Sequence, residues 1–330
     1  SIKLATDQDY DSERFEEYLE IDGSEEHDKV IALLDAVNDT ENSIEDVVAQ
    51  YFDRENLYYW MGFHILMGNK DVLKGNYYLY SPRGVDKWYF ISWDNDSILK
   101  EGYEFLRDNT YDRSWNYGIF TYADTVLFQR ILQNKSCRSA LDEAVKDLKD
   151  HYLTKERVIS RIQEYSAVVE KYLYTLPDQT FARVTQADYQ FLADSMAEEI
   201  EANYEEYQKS MQSVWPFHIL SPSNENGIIT LNWEEGYFPE NGTVTYSVEL
   251  SEDYSFQDFL VKTRTEEKHY EAGALPAGQY FLRIRAEGEN GLSQDAYEYY
   301  QTESGSVSYS TLCFYIQEDG SVNVLEYSED

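Results

Sequence analysis

The spacing of hydrophobic and polar residues changes near residue 214. Across residues 1–213, apolar residues recur mainly every three or four positions, which is the period of an amphipathic helix. Beyond Trp215-Pro216, apolar and polar residues alternate in short runs separated by turn residues, as in half-buried strands. We therefore predict a multidomain α + β protein. A mostly helical domain is expected over residues 1–213 and an all-β domain over residues 214–330.

Three helices are predicted early in the helical part. One begins at Ser24 and continues through Asn38, and a second begins at Ser43, where Asp46 completes a sequence like a capping box. The third covers residues 54–67 and is apolar on nearly all sides, which indicates a buried helix.

Two later helices are predicted to begin at Thr154 and Thr185. Each carries an apolar stripe at helical spacing, and we expect the tyrosines of both stripes to lie in the core. The stripes consist of Val158, Ile159, Ile162, Tyr165, Val169, Tyr172 and Leu173, and of Tyr189, Leu192, Met196, Ile200, Tyr204, Tyr207 and Met211.

A β-hairpin is predicted inside the helical part. Residues 76–80 and 87–92 are rich in aromatic residues typical of strands, and Pro82 and Gly84 between them favour a turn. Because a hairpin returns the chain next to its starting point, residues just outside its two strands are expected to converge at its open end.

Polar residues with possible chemistry flank that open end. Asp71 and Asn76 precede or begin the first strand, and Asp94 and Asp96 follow the second. The same order occurs in protein-kinase catalytic lobes, where the first aspartate orients the substrate hydroxyl and the asparagine and last aspartate hold Mg²⁺. In a chain this acidic the spacing also arises by chance, with the acids as solvated turn residues.

The local sequence of residues 67–96 resembles the spore-coat CotH family of atypical protein kinases. The resemblance rests on Met67-Gly-Asn-Lys-Asp71, Asn76-Tyr-Tyr-Leu-Tyr80 and Trp93-Asp-Asn-Asp96. Ser92 stands where that family commonly has proline, and Asn95 stands where a bulkier residue is usual. The resemblance extends less specifically over residues 10–210.

The resemblance implies a kinase-like C-terminal lobe with Asp71 as the catalytic aspartate. It implies that Asn76 and Asp94 bind Mg²⁺ or Mn²⁺, that Asp96 supports them, and that phosphate passes from ATP to Ser or Thr of proteins, coat proteins among them. Lys74 is a weaker candidate for a phosphate contact, because a solvated loop lysine is the simpler expectation.

The nucleotide-binding lobe that precedes this region in the family is not recognisable in residues 1–70. They contain no glycine-rich phosphate loop, and the two lysines considered for the ATP contact, Lys3 and Lys29, fall in a terminus and in a predicted helix. We therefore expect a C-terminal lobe without its N-lobe. Residues 1–330 alone are expected to be inactive, and the full-length parent is expected to be the Ser/Thr kinase.

Residues 214–305 resemble a fibronectin type III or similar immunoglobulin-like sandwich. Residues 228–233 and 244–250 are strand-like, and residues 275–286 match the segment of that fold whose tyrosine, here Tyr280, bonds the backbone at a corner. Residues 307–327 predict a final hairpin. A spacer is the simplest role, and the alternative is a glycan or protein partner bound through exposed tyrosines: Tyr297, Tyr299 and Tyr300.

Composition limits the classes of partner. The chain has 63 acidic and 27 basic residues, a formal net charge of −36, and 16% aromatic residues, which indicates a folded acidic protein. Duplex nucleic acid and anionic membranes require a basic face, so neither is expected, whereas basic proteins, metal ions and neutral glycans are permitted as partners. No apolar run approaches the length of a membrane span. Cys137 and Cys313 are expected to be ordinary thiols.

Three functional classes follow from these observations. The first is a kinase, and the second is a non-catalytic surface or spore-coat scaffold. The third, a glycoside hydrolase using Asp71 with Asp94 or Asp96, is weaker because the helical part has no pattern of a barrel or sandwich to hold a sugar cleft. The fibronectin-like segment favours an extracellular or cell-surface location in a bacterium, with the spore coat as the alternative.

Overall fold

The computed structural model describes residues 27–96, 98–100, 118–123, 125–239, 242–302 and 305–325. These residues form two compact units, and the boundary between them falls after Tyr207. The boundary expected from the sequence, after residue 213, lies a few residues further along. None of the helices in the described ranges is both long enough and apolar enough to cross a membrane.

Seven helices lie in the described residues. They are α1 (Asp28–Asn38), α2 (Ile44–Tyr51), α3 (Arg54–Leu66), α4 (Val126–Gln133), α5 (Lys135–Asp147), α6 (Lys155–Leu173) and α7 (Gln186–Ser210). Short 3-10 or π-helical turns occupy Val72–Lys74, Gly118–Tyr122, Leu148–Tyr152 and Asp178–Phe181.

The predicted helix starts are mostly confirmed. Thr154 caps α6 by accepting a 3.4 Å hydrogen bond from the Arg157 amide, and Thr185 accepts a 3.2 Å bond from the Asp188 amide at the start of α7. Ser43 precedes α2, but its side chain makes no capping hydrogen bond, so the predicted capping box is wrong. The start predicted at Ser24 lies outside the described residues.

The core position predicted for the α6 stripe is wrong. No residue of α6 is buried, and the side chains of Tyr165 and Tyr172 are 65% and 56% exposed. Helical spacing identifies an apolar face but does not supply a partner to cover it. The prediction holds better for α7, where Ile200 and Tyr207 are fully buried.

The predicted hairpin is confirmed as β1 (Tyr77–Tyr80) and β2 (Tyr89–Ser92), which pair antiparallel. The side chain of Asn56 in α3 pairs with the backbone of Phe90 in both directions. It accepts from the Phe90 amide at 2.7 Å and donates to the Phe90 carbonyl at 3.1 Å. Since both groups of the amide are used, β2 is fixed in register against α3.

Aromatic packing holds the same hairpin against α3. The ring of Trp60 in α3 lies 4.5 Å from that of Phe90 and 5.4 Å from that of Tyr77, one residue from each strand. Trp60 is buried, and Phe128 from α4 stacks against it at 5.8 Å. This cluster places the open end of the hairpin beside the carboxyl end of α3.

The second unit consists of antiparallel strands. They are β3 (Ile219–Glu225), β4 (Ile228–Trp233), β5 (Val244–Ser251), β6 (Val261–Thr265), β7 (His269–Gly273), β8 (Gly278–Gly288), β9 (Ser293–Asp295), β10 (Tyr299–Gln301), β11 (Val307–Tyr309), β12 (Thr311–Ile316) and β13 (Val322–Val324). One sheet has the order β13-β12-β8-β5-β6 with β9 beside β8, a second has the order β3-β4-β7, and β10 pairs with β11.

The two larger sheets share one hydrophobic core. Leu231 and Trp233 from β4 are buried together with Val248 from β5 and Phe314 from β12. Tyr280 donates a 2.8 Å hydrogen bond from its hydroxyl to the Pro276 carbonyl, as the sequence predicts. The assignment of this unit to the fibronectin or immunoglobulin families stays a prediction.

Further details of this unit bear on the sequence predictions. The final hairpin is confirmed as β12 and β13, joined at a turn in which the Gln317 amide bonds the Ser321 carbonyl. The expected patch of exposed tyrosines is only partly right, because Tyr300 packs edge-on against Phe281 at 4.8 Å. Cys137 and Cys313 are buried free thiols.

Candidate functional site

A tight turn follows α3 and leads into the candidate site. Gly68 has a φ of +58°, and a Cβ added there would lie 2.9 Å from the side-chain nitrogen of Asn203 in α7. That nitrogen donates a 3.0 Å hydrogen bond to the carbonyl of Leu66, which caps the end of α3. Glycine is therefore required at this position by both backbone conformation and space.

Asp71 and Asn76 lie on either side of the short helical turn Val72–Lys74. Val72 is fully buried and anchors the turn, which ends at Gly75 with a φ of +101°. The reversal brings the side chains together, so that Asn76 Nδ2 donates a 2.6 Å hydrogen bond to Asp71 Oδ2. The structure thus joins the candidate catalytic residue directly to one candidate metal ligand.

The backbone of the hairpin brings the residue before Asp94 next to Asn76. The Trp93 amide donates a 3.1 Å hydrogen bond to the Asn76 carbonyl, which extends the β1–β2 pairing to the residue before Asp94. Asp94 is exposed and has a φ of +49°, a left-handed conformation that side-chain-bearing residues rarely adopt. Strained conformations of this kind often occur at functional positions, which supports a role for Asp94.

The loop after β2 is also tied to the turn after α3. Leu99 donates a 3.0 Å backbone hydrogen bond to the carbonyl of Met67, and Asn95 Oδ1 accepts a longer, 3.4 Å bond from Asn69 Nδ2. Asp96 is exposed in this loop. Lys74 ends the short helical turn, and its side chain lies outside the described parts of the structure.

Comparison with known proteins identifies the helical part. The sequence model of the family described as CotH kinase protein matches residues 1–215. The chain belongs to the CotH kinase family. None of the curated proteins matches it. The CotH match covers α1 to α7 together with the hairpin, and it confirms the resemblance seen at residues 67–96.

Two buried residues of the CotH region were not singled out by the sequence reasoning. His64 and Asn69 are 1% and 3% exposed, and His64 Nδ1 lies 3.1 Å from Asn69 Nδ2. Burial lowers the pKa of His64 to about 4, so the ring is neutral at neutral pH. Asn69 belongs to the segment of residues 67–71 that resembles the CotH family, and this resemblance is the sequence feature that could have identified the two residues.

The oxygen donors near the hairpin suit a hard cation. No group of three or more His, Cys, Asp or Glu side chains within the described ranges is arranged to hold a metal ion. Mg²⁺ does not need such a cage, because it commonly takes one or two carboxylates and completes its shell with water and phosphate oxygens. In the CotH region, Asn76 and Asp94 could supply one amide oxygen and one carboxylate to such a cation.

An exposed aromatic pair borders the same residues. Tyr78 and Trp93 are 50% and 56% exposed, and their rings meet edge-on at 5.3 Å. Tyr78 is two residues after Asn76 in β1, and Trp93 directly precedes Asp94. In this CotH member, the polar open end of the hairpin therefore adjoins a solvent-facing aromatic surface.

Proposed function

We propose that the helical unit is the C-terminal catalytic lobe of a kinase that, in the full-length gene product, transfers the γ-phosphoryl group of ATP, bound with Mg²⁺ or Mn²⁺, to Ser or Thr hydroxyls of proteins. Residues 1–330 alone are proposed to be inactive. The observation that carries this proposal is the 2.6 Å hydrogen bond between Asn76 and Asp71 at the open end of the hairpin. It holds a carboxylate beside a candidate metal ligand in the chain order that phosphoryl transfer uses. Membership of the CotH kinase family supports the same class of reaction.

Asp71 is proposed to orient the attacking hydroxyl. Its carboxylate accepts the proton of the substrate hydroxyl as the hydroxyl oxygen forms a bond to the γ-phosphorus. The bond from that phosphorus to the oxygen bridging to the β-phosphate breaks, and ADP leaves. Asn76 fixes the carboxylate by donating to Oδ2. Because phosphoryl transfer depends mainly on positioning and charge neutralisation, a carboxylate held in this way contributes without forming a covalent intermediate.

Asn76 and Asp94 are proposed to hold the divalent cation, with Asp96 in support. When bound, such a cation neutralises charge on the phosphates. Asn76 retains its side-chain oxygen as a ligand, since its nitrogen is the atom that bonds Asp71. Lys74 stays a candidate for a phosphate contact.

The aromatic pair is proposed as the surface that meets the nucleotide base. Bases stack on exposed aromatic side chains with a gain of about 1–3 kcal/mol per base. Tyr78 is half exposed, Trp93 is slightly more than half exposed, and both adjoin the proposed ligands in sequence. A base stacked on this surface would therefore leave the phosphates near Asn76 and Asp94.

Further proposals concern partners and location. The net charge of −36 favours basic protein substrates through long-range attraction. We propose that the β unit is a fibronectin-like spacer, or alternatively a module that binds a glycan or protein, in an extracellular, cell-surface or spore-coat protein.

Titration with Mn²⁺ and ATP tests the proposed site. Isothermal calorimetry of the chain should show binding that Asp94→Asn weakens by about 100-fold, because loss of a carboxylate ligand costs a few kcal/mol. Asp86→Asn is the matched control, since Asp86 is a fully exposed acid at the other end of the same hairpin. If Asp94→Asn binds Mn²⁺ as tightly as the wild type, the metal assignment is wrong.

A non-catalytic scaffold is the second candidate, favoured by the exposed apolar face of α6. Tyr165, Val168 and Tyr172 lie on that face and are all more than half exposed, as expected of a surface that meets another protein. A scaffold predicts that the folded chain binds neither Mn²⁺ nor ATP, and that the full-length gene product transfers no phosphate.

A further inference from the structure

His64 and Asn69 lie between the end of α3 and the two loops of the candidate site. Both are almost fully buried. Burying polar side chains is unfavourable unless their hydrogen bonds are made inside the protein, so the partners of these two residues show what they hold together.

The hydrogen bonds of His64 define its tautomer. Asn69 Nδ2 lies 3.1 Å from His64 Nδ1, and an amide nitrogen can only donate, so Nδ1 is the acceptor. The proton of the neutral ring is then on Nε2, which donates to Ser92 Oγ at 2.8 Å. His64 therefore connects α3 to the last residue of β2, two positions before Asp94.

Asn69 extends this connection to both loops. Its side-chain oxygen accepts a 3.1 Å hydrogen bond from the backbone amide of Asp71. Its nitrogen donates to His64 and, at 3.4 Å, to the side chain of Asn95, which lies between Asp94 and Asp96. A single buried amide thus bonds the backbone of the candidate catalytic residue and the loop of the candidate ligands.

We propose that His64 and Asn69 form a buried clamp, defined as these two side chains with their bonds to Ser92, Asn95 and the Asp71 amide, that positions Asp71 relative to the ligand loop. The inference rests on the proposed function for its catalytic consequence. Every partner of the clamp is within two residues of Asp71 or Asp94, whereas a pair needed only for stability has no reason to be so placed. His64 and Asn69 are positioning residues.

Three variants separate positioning from stability. Asn69→Ala removes the acceptor of the Asp71 amide. His64→Leu keeps an apolar volume but leaves Asn69 without its acceptor, and His64→Asn restores an acceptor near the position of Nδ1. Val145→Ala is the control, because it truncates a fully buried residue of α5 that has no part in the clamp.

The first measurement is hydrogen exchange at the Asp71 amide in the 330-residue chain, read by NMR, which needs no activity. Asn69→Ala and His64→Leu should accelerate this exchange, His64→Asn should do so less, and Val145→Ala should leave it unchanged relative to the neighbouring amides.

The second measurement is phosphotransfer by the full-length gene product. We expect Asn69→Ala and His64→Leu to lower kcat by about 10- to 100-fold with little change in KM for ATP, and His64→Asn to recover part of kcat.

The outcomes distinguish this inference from the proposed function. If the wild type transfers phosphate and Asn69→Ala and His64→Leu keep its kcat and its Asp71 exchange rate, the clamp is wrong and the function stands. If the wild type transfers no phosphate, the proposed function fails. In that case accelerated Asp71 exchange in Asn69→Ala still supports the clamp, and unchanged exchange overturns it.

Discussion

The side-chain amide of Asn76 donates a 2.6 Å hydrogen bond to Oδ2 of Asp71. The two residues are separated by one short helical turn, whose buried Val72 and left-handed Gly75 set the reversal between them. The candidate base and a candidate metal ligand are therefore one hydrogen-bonded pair, and a change in either residue alters the other.

Replacing the donor by an acceptor tests this pair. Asn76→Asp would set a second carboxylate against Asp71 Oδ2, and like charges at hydrogen-bonding distance repel. We expect kcat for phosphotransfer to fall by about 100-fold, a typical contribution of a positioned acid or base. In the control Asn42→Asp, an exposed asparagine that bonds Asp39 at 2.8 Å is changed in the same way. Equal activity of both variants and the wild type would show that the pair has no catalytic role.

Two substitutions at Asp94 separate its backbone strain from its carboxylate. Glycine adopts a φ of +49° without steric cost, whereas alanine there is less stable by about 1 kcal/mol. Asp94→Ala should therefore unfold at lower urea concentration than Asp94→Gly, while calorimetry should find Mn²⁺ binding weakened equally in both. Retained Mn²⁺ affinity in Asp94→Gly would contradict the assignment of a ligand at this position.

The turn after α3 should be more sensitive than another glycine turn. In Gly68→Ala, the new Cβ would sit on a left-handed backbone and clash with the side-chain nitrogen of Asn203 at 2.9 Å. Gly84 is also left-handed, with a φ of +82°, but an added Cβ there would have nothing within 4 Å. We expect Gly84→Ala to lower the free energy of unfolding by about 1 kcal/mol and Gly68→Ala by about 3 kcal/mol, measured by urea denaturation. Equal losses would mean that Asn203 moves aside freely.

Burial of His64 makes the stability of the helical unit depend on pH. Its pKa in the folded protein is about 4, below the ordinary value of 6.5, because burial disfavours the charged ring. As the pH falls below 6.5, the His64 ring takes up a proton in the unfolded chain before it does so in the folded protein. The contribution of the neutral His64 ring to the free energy of unfolding is therefore fully present above pH 6.5 and is lost progressively towards pH 4.

The loss attributable to His64 should approach about 3 kcal/mol. It is measured as the difference in the pH dependence of unfolding between the wild type and His64→Leu, since the carboxylates titrate in both. Identical pH profiles would show that the ring is not held neutral by burial.

The sequence predicts those features of the site that depend on local structure. The hairpin follows from strand-like aromatic residues on either side of Pro82 and Gly84, and the buried helix α3 follows from its apolar composition. Asp71 and Asn76 are five residues apart across one turn, so their approach needs little tertiary information.

Features that depend on tertiary contacts were not predictable from the sequence. The stripe of α6 has the same helical spacing as a core helix, yet nothing in the described residues buries it. The clamp depends on Ser92 and Asn95 returning to His64 and Asn69 over more than twenty residues, and no spacing rule connects such side chains. Ser43 illustrates the reverse case, since a favourable local motif is present without its hydrogen bond.

The central claim is that Asp71 and Asp94 serve phosphoryl transfer. The most direct test follows γ-labelled phosphate from ATP to a basic protein substrate and to an acidic one, with Mg²⁺ or Mn²⁺, using the full-length gene product and its Asp71→Asn, Asp94→Asn and Asp86→Asn variants. We predict transfer by the wild type and Asp86→Asn, preferentially to the basic substrate, and a loss of at least about 100-fold in the other two. No transfer by the wild type, or full activity in Asp71→Asn and Asp94→Asn, would contradict the claim.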